Sequence, residues 1–380
     1  MLVCKEELRL EFGWHRDFDN RPEYLRILGD FCFVPYLFAD TKQAKNNKKE
    51  VQKMKKLISL ALTLVLCLSA LAVLSSCGEK KTSDTLKVGV IQYMSHPSLD
   101  NCYAGVKEVL ESSDKNVTIE YKVGSANAAD SDCTSFAKNM VAEKVDLIVA
   151  IATPAAKAAF TACADTDIPV IFCAVSDPVL AGLVKSAEEP GDACTGTSDV
   201  LDLAAQLGMI KTFQPDVKSI GILYTSSEDN SISNLAVFKE LCEKENIEVV
   251  AKSVQNAADI PSAAADLASK VDCINNFTDN NVVNNLSVVL SAAETNGIPV
   301  YGSEVEQVKN GCLASMSIDY KALGKTTGDM ALEVLGGADA SKMPVRTITE
   351  ATPVVNTDVL GALGMTIPEA YANAEAVKNN

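Results

Sequence analysis

Short apolar runs recur along most of the chain, and they recur as a repeat. Lys87-Val88-Gly89-Val90-Ile91-Gln92-Tyr93 is answered by Ser219-Ile220-Gly221-Ile222-Leu223-Tyr224-Thr225. The run Val145 to Thr153 is answered by Val271 to Thr278, and Asp167 to Phe172 by Asn296 to Tyr301. Each is a brief β-branched stretch without polar alternation, the pattern of a strand buried on both faces of a parallel sheet. Three matches in the same order predict two lobes of similar fold.

Helical periods fill the gaps. Asp132 to Lys144 sets Phe136, Met140 and Val141 on one stripe, and Ser231 to Lys244 does the same with Leu235, Phe238 and Leu241. Ile260 to Lys270, Val282 to Glu294 and Tyr320 to Leu335 follow the same period. Strands alternating with amphipathic helices are βαβ units with right-handed crossovers. The expected fold class is therefore α/β: two Rossmann-like lobes with parallel sheets joined by hinge crossings. The crossings are expected near residues 195, 317 and 340. One lobe then holds 85–195 with 318–340, and the other 196–317 with 341–380.

One apolar stretch breaks this pattern. Lys55 and Lys56 precede an apolar run from Leu57 to Leu74, which ends in Leu74-Ser75-Ser76-Cys77 and a polar segment. A positive start, an apolar middle and small residues before a cysteine predict a lipoprotein leader over 54–76, with Cys77 lipidated and a linker to residue 84. The run is also just long enough for a plain membrane anchor, but an anchor does not need the cysteine. Either way the rest of the chain is expected to work outside the cytoplasm, tethered to the bacterial membrane. Residues 1–53 have no sustained period. They are expected to be a disordered start-site artefact upstream of a true start at Met54.

Charge narrows the partners. From Cys77 onward 22 basic residues stand against 41 acidic ones, which argues against nucleic acid and anionic membrane surfaces. Arg346 is the one arginine in this part and His96 the one histidine. Cys102, Cys133, Cys163, Cys173, Cys194, Cys242, Cys273 and Cys312 show no CxxC spacing. With a single histidine beside them a metal site is not expected. They read as small buried thiols, although export would also permit one or two disulfides. No dinucleotide or P-loop fingerprint is present, so no cofactor is expected.

In open parallel sheets ligands sit beyond the carboxyl ends of the strands. Thr153 closes one strand and precedes Pro154 and a run of alanines, so it reads as an N-cap. Thr278-Asp279-Asn280 stands at the equivalent place in the second lobe, and Ser176-Asp177-Pro178 ends another first-lobe strand. Helix N-termini attract carboxylates, and Asp279 offers a partner for an ammonium. Each group alone is an ordinary cap; three around one cleft favour a small zwitterion. His96, beside a proline in a loop, reads as a loop anchor rather than a ligand.

The ordered set of motifs resembles the bacterial ABC-transporter substrate-binding lipoproteins that take up tryptophan and related aromatic amino acids. It comprises Gly89 to Tyr93 with His96-Pro97 and Leu99-Asp100, Asn127-Ala128 with Asp130, and Asp146 to Ala156. Val175 to Pro178 with Ala181 to Val184, Tyr224 with Ser227 to Ser231, and Thr278 to Asn280 continue it. Gly302 to Glu304, Asp319-Tyr320 with Leu323-Gly324, and Thr366 to Glu369 complete it. The resemblance implies the type I periplasmic-binding-protein fold, with a ligand clamped between lobes. It places Tyr93, Thr153 and Ser176, with Asp177 beside them, on the first-lobe side of the pocket. Tyr224, Thr278, Asp279, Asn280 and Glu304 come from the second. It also implies a monomer that serves an ABC permease and its ATPase. Asn275-Asn276 departs from the family's more apolar residues, which bears on how aromatic the ligand is.

Three other readings compete. An enzyme would need an activated nucleophile with an oriented base, and a single histidine without a GxSxG elbow does not supply one. A sensor ectodomain would bind the same ligand but signal to a kinase. A receptor for another solute, such as an aliphatic amino acid, a nucleoside or a sugar, shares the fold, because fold does not fix ligand.

Overall fold

The computed structural model describes residues 85–125, 129–348 and 351–380. The upstream residues 1–53, the leader at 54–76, Cys77 with its linker to residue 84, and Asn127-Ala128 lie outside the described residues.

The first lobe is a parallel sheet. Leu86–Gln92 (β1), Val117–Val123 (β2), Leu147–Ile151 (β3), Val170–Cys173 (β4) and Cys194–Ser198 (β5) lie in the order β5-β4-β3-β1-β2. All of β3, β4 and β5 is buried. Helices cover them on both faces: Pro97–Ser112 (α1), Ala129–Ala142 (α2) and Thr153–Cys163 (α3). Apolar burial of this kind contributes on the order of 25 cal/mol per Å2.

The second lobe repeats the plan. Leu203–Phe213 (α4) leads into Ser219–Thr225 (β6), Asp229–Lys244 (α5), Glu248–Val254 (β7), Ile260–Ala268 (α6) and Cys273–Asn275 (β8). Asn280–Asn284 (α7), Leu286–Asn296 (α8), Val300–Tyr301 (β9) and Val305–Lys309 (α9) follow, and the parallel order is β7-β6-β8-β9. The repeated runs thus become β1-β3-β4 in one lobe and β6-β8-β9 in the other, neighbours in the same order. Beside β9 lies Ala314–Ser317 (β10), linked through Leu313 N–H to the Val300 carbonyl at 2.7 Å.

Tyr320–Leu335 (α10) then returns to the first lobe and crosses α1 at two glycines. A Cβ on Gly105 would lie 2.3 Å from the Lys321 carbonyl oxygen, and one on Gly324 2.1 Å from that of Cys102. Only glycine lets these backbones approach so closely. The chain finishes with Arg346–Thr347 (β11), Thr352–Asn356 (β12), Thr357–Ala362 (α11) and Glu375–Val377 (β13). β12 pairs antiparallel with β10 and parallel with β13.

Two details differ from the sequence reading. β5 extends the first sheet to Ser198, and β11 pairs with it at Arg346–Thr197. The first lobe therefore runs past 195 and takes back 346–347, because a two-residue strand leaves no period to read. Val282 to Glu294 is not one helix: it breaks at Asn285 (φ −116°), whose side chain donates to the Asn281 carbonyl at 2.8 Å. Asparagine competes with helical hydrogen bonding in this way. The eight cysteines named above are free and buried. Burial pushes the Cys133 and Cys242 thiols up to about 12, which leaves them poor nucleophiles.

Candidate functional site

Strand order reverses between β1 and β3 in the first sheet and between β6 and β8 in the second. Successive loops leave such a point in opposite directions and open a crevice. A small cavity lies between the lobes and is lined from both. The first lobe and its crossings supply His96, Ser98, Leu99, Ala152, Thr153, Ala174, Ser176, Asp199 and Tyr320. The second supplies Asn230, Thr278, Asn280, Val283, Glu304 and Gln307.

The two walls differ in how their helices begin. α1 and α3 each open with a proline in the first turn, and no side chain caps either one. The residue capping α3 is Ala152 rather than the expected Thr153, which is already helical. Ala152 (φ +80°) and Ala174 (φ +57°) hold left-handed backbone while lining the cavity. Such strain costs about 1–3 kcal/mol per residue and clusters at functional sites. In the second lobe, acids occupy the caps. Asp279 accepts from Val282 N–H at 2.9 Å to start α7. Glu304 accepts from Gln307 N–H at 2.7 Å and Glu306 N–H at 2.6 Å to start α9.

Five of the nine residues expected at the pocket line it: Thr153, Ser176, Thr278, Asn280 and Glu304. Four lie elsewhere. Asp279 is wholly buried and takes four protein donors, Thr225 N–H and Oγ1, Ser231 Oγ and Val282 N–H. Its carboxyl holds α7 to β6 and does not line the cavity. Tyr224 packs on the second-lobe core. Tyr93 lines an outer recess with Asp130 and Asn281. Asp177 stands at the lobe boundary, where Ser233 Oγ donates to its Oδ2 at 2.8 Å. Near it Lys157 pairs with Asp229, also across the lobes.

Asn275 and Asn276, buried behind the cavity, do not line it either. Asn276 Nδ2 donates to Gln307 Oε1 at 2.9 Å, and Asn275 Oδ1 accepts from Gln206 Nε2 at 2.9 Å. Their effect on the cavity is through Gln307, whose position Asn276 fixes.

Sequence reasoning passed over Asp199, quoted Asn230 and Tyr320 only as motif residues outside the pocket, and set His96 aside. Asp199 sits on the crossing after β5 and accepts from Ser176 Oγ at 2.9 Å and Tyr320 Oη at 2.6 Å. Burial raises its carboxyl above the usual range. Burial also raises Glu304 to about 7, even though it accepts bonds from two backbone N–H groups and from Ser98 across the cleft. Glu228, just behind, is raised to about 8 by burial and then by the neighbouring Asp279. It accepts from Asn280 N–H at 3.0 Å, Asn280 Nδ2 at 2.7 Å and Asn230 Nδ2 at 3.2 Å. His96 is lowered to about 4 by burial, and its Nε2 lies 3.3 Å from Asn280 Oδ1.

Buried polar atoms are normally paired. Three atoms of residues lining this cavity have no protein partner: His96 Nδ1, Asn230 Oδ1 and Thr278 Oγ1. The cavity thus offers bare helix N-termini on the first-lobe wall, hydroxyls on both walls, and two buried carboxyls, Asp199 on the crossing after β5 and Glu304 on the second-lobe wall. No lysine or arginine lines it. Among the described residues no group of three or more His, Cys, Asp or Glu could hold a metal ion.

The family model of ABC transporter substrate binding proteins matches residues 87–378. A tyrosine-binding protein of Clostridioides difficile (strain R20291) is 38% identical over 324 residues, 82% of this chain and 93% of that protein. Among solved structures, the ABC domain from Streptococcus pneumonia in complex with L-Trp superposes with TM-score 0.74 at 37% identity, covering 77% of this chain and all of that one. The ligand-free, open form of a substrate-binding protein with adhesive properties from Clostridium difficile gives TM-score 0.60 at 37% identity, covering 78% of this chain and all of that one.

Proposed function

This chain belongs to the family of ABC transporter substrate-binding proteins, and we propose that it is the receptor for an aromatic amino acid. Proteins of this family bind a small molecule outside the cytoplasm and hand it to an ABC permease and its ATPase; they are not enzymes.

The observation that carries the reading is the asymmetry of the two cavity walls. The uncapped N-termini of α1 and α3, each with roughly half a positive charge, suit an α-carboxylate beside Thr153. The buried carboxyl of Glu304, on the second-lobe wall, suits an α-ammonium. Leu99, Val283, Ala152 and Ala174 leave apolar wall for a ring. A neutral sugar or nucleoside would leave the carboxyls without a cation, which is unfavourable for buried charges. The relatives known to bind tyrosine and L-Trp support the aromatic assignment.

Ligand bridges the lobes and shifts a hinge equilibrium toward closure. Two features support a closed arrangement here: the contacts His96–Asn280, Ser233–Asp177 and Lys157–Asp229 span the cleft, and the likeness is greater to the L-Trp complex than to the open form at equal identity. The protein acts as a monomer, tethered through a lipidated Cys77 after removal of the leader at 54–76. Mass spectrometry of the membrane-extracted protein tests the tether: a diacylglyceryl mass on Cys77 is expected, and a chain still carrying Leu57–Leu74 contradicts it.

Titration calorimetry against tyrosine, tryptophan, phenylalanine, leucine, a nucleoside and a sugar tests the receptor assignment. Tight binding confined to aromatic amino acids is expected. Binding of leucine or a sugar alone keeps the family role but removes the aromatic one.

A further inference from the structure

Glu228 sets the orientation of Asn280, and Asn280 in turn sets that of His96. Glu228 Oε2 receives both the backbone N–H of Asn280 and its Nδ2, at 3.0 and 2.7 Å. The amide nitrogen must face that carboxyl, so Asn280 Oδ1 faces His96 Nε2 across the cleft at 3.3 Å. An amide oxygen can only accept, so Nε2 carries the hydrogen of the neutral imidazole and Nδ1 is left as a bare acceptor. That atom is the one without a protein partner. His96 is 8% exposed and lines the cavity.

We propose that His96 Nδ1 accepts a hydrogen bond from the ring of the bound amino acid, so that the site selects side chains bearing an O–H or N–H over phenylalanine. The inference rests on the aromatic amino-acid reading and deepens it. The ammonium of the ligand is not the donor, because two buried carboxyls, Glu304 and Asp199, line the same cavity and attract a cation more strongly than a neutral imidazole does. The surroundings of His96 suit a ring. Leu99, one turn along α1, and Val283, one turn along α7 from Asn280, are both apolar and both line the cavity. Burial keeps the imidazole uncharged at neutral pH. A site built around an unpaired acceptor rejects an analogue that lacks the donor, because the acceptor then stays buried and unsatisfied.

The test titrates the full-length protein, His96→Phe and His96→Gln with tyrosine, tryptophan and phenylalanine. His96→Phe keeps a ring but removes the acceptor; His96→Gln keeps an acceptor. The wild type is expected to hold tyrosine or tryptophan at least about tenfold more tightly than phenylalanine. In His96→Phe that ligand weakens by about tenfold or more while phenylalanine changes by less than about threefold, and His96→Gln recovers part of the loss. The tyrosine and tryptophan arms separate a phenol donor from an indole one. Equal wild-type affinity for all three, or equal weakening of all three in His96→Phe, overturns the proposal but leaves the receptor role intact. Failure of all three to bind the wild type removes the aromatic reading, and this inference with it. Nitrogen NMR of the wild-type imidazole gives an independent check, because His15 is the only other histidine. An Nε2–H tautomer whose Nδ1 resonance moves on adding ligand is expected; an Nδ1–H tautomer overturns the proposal.

Discussion

Tyr320 Oη donates to Asp199 Oδ2 at 2.6 Å, and the bond joins two of the segments that cross between the lobes. Asp199 follows β5 on the way out of the first lobe, and Tyr320 opens α10 on the way back. Asp199 Oδ1 also accepts from Ser176 Oγ, so one buried carboxyl ties the hinge to the cavity wall. Tyr320→Phe is expected to lower unfolding free energy by about 1–3 kcal/mol, since it leaves a buried carboxyl short of a donor. Ligand affinity should fall with it. Denaturant titration and calorimetry check both, and an unchanged midpoint would show that the bond contributes nothing.

Asp279 should matter for folding more than for binding. Its four donors come from β6, α5 and α7, and Asp279→Ala would strand them in the core. A loss of about 3 kcal/mol or more is expected. Thr153→Ala, at the cavity, should weaken binding several-fold and change the melting temperature little. The reverse pattern would exchange the roles given to these two residues.

The ion pair between Lys157 and Asp229 is a closing contact at the rim, and its side chains are 47% and 27% exposed. Exposed pairs contribute about 0–1 kcal/mol, so Lys157→Ala should weaken affinity by less than about fivefold. Its effect should shrink further at high salt. Small-angle scattering of the ligand-free variant should show a larger radius of gyration than the wild type. A variant as compact as the wild type would remove the latch.

Protonation of the second wall gives the site a pH dependence. Glu304 at about 7 and Glu228 at about 8 lie above an ordinary glutamate, chiefly through burial. The folded, ligand-free protein therefore keeps protons that the unfolded chain releases, and its stability should fall as pH rises from about 4.5 to 8. His96, lowered to about 4, works in the opposite sense, adding stability as pH rises from about 4 to 6.5. Pairing with an ammonium requires Glu304 ionised, so affinity should increase through pH 7 with release of about half a proton at that pH. Calorimetry in buffers of different ionisation enthalpy measures the proton, and Glu304→Gln should abolish it. Proton release that persists in that variant would assign the ammonium to another group.

Much of this was legible in the chain. The three repeated runs became the same three neighbouring strands in each lobe, because buried parallel strands leave continuous β-branched stretches. Thr153, Ser176, Thr278, Asn280 and Glu304 reached the cavity because strand ends are where such folds bind. The misses have a common cause. Asp199 and Tyr320 sit on crossings, whose placement depends on how two lobes fold over each other rather than on any local period. Asp279 looks like a ligand for an ammonium in sequence, yet donors distant along the chain saturate it. His96 entered the sequence reading only as a motif residue and loop anchor, since the role of its buried, unpartnered acceptor depends on Asn280, 184 residues away.

The most direct test is a crystal structure with the amino acid that binds most tightly. The account predicts its α-carboxylate at the start of α3 beside Thr153, its ammonium at Glu304, and its ring between Leu99 and Val283. A ligand with carboxylate and ammonium exchanged between the walls, or one seated in the outer recess beside Tyr93, would contradict it.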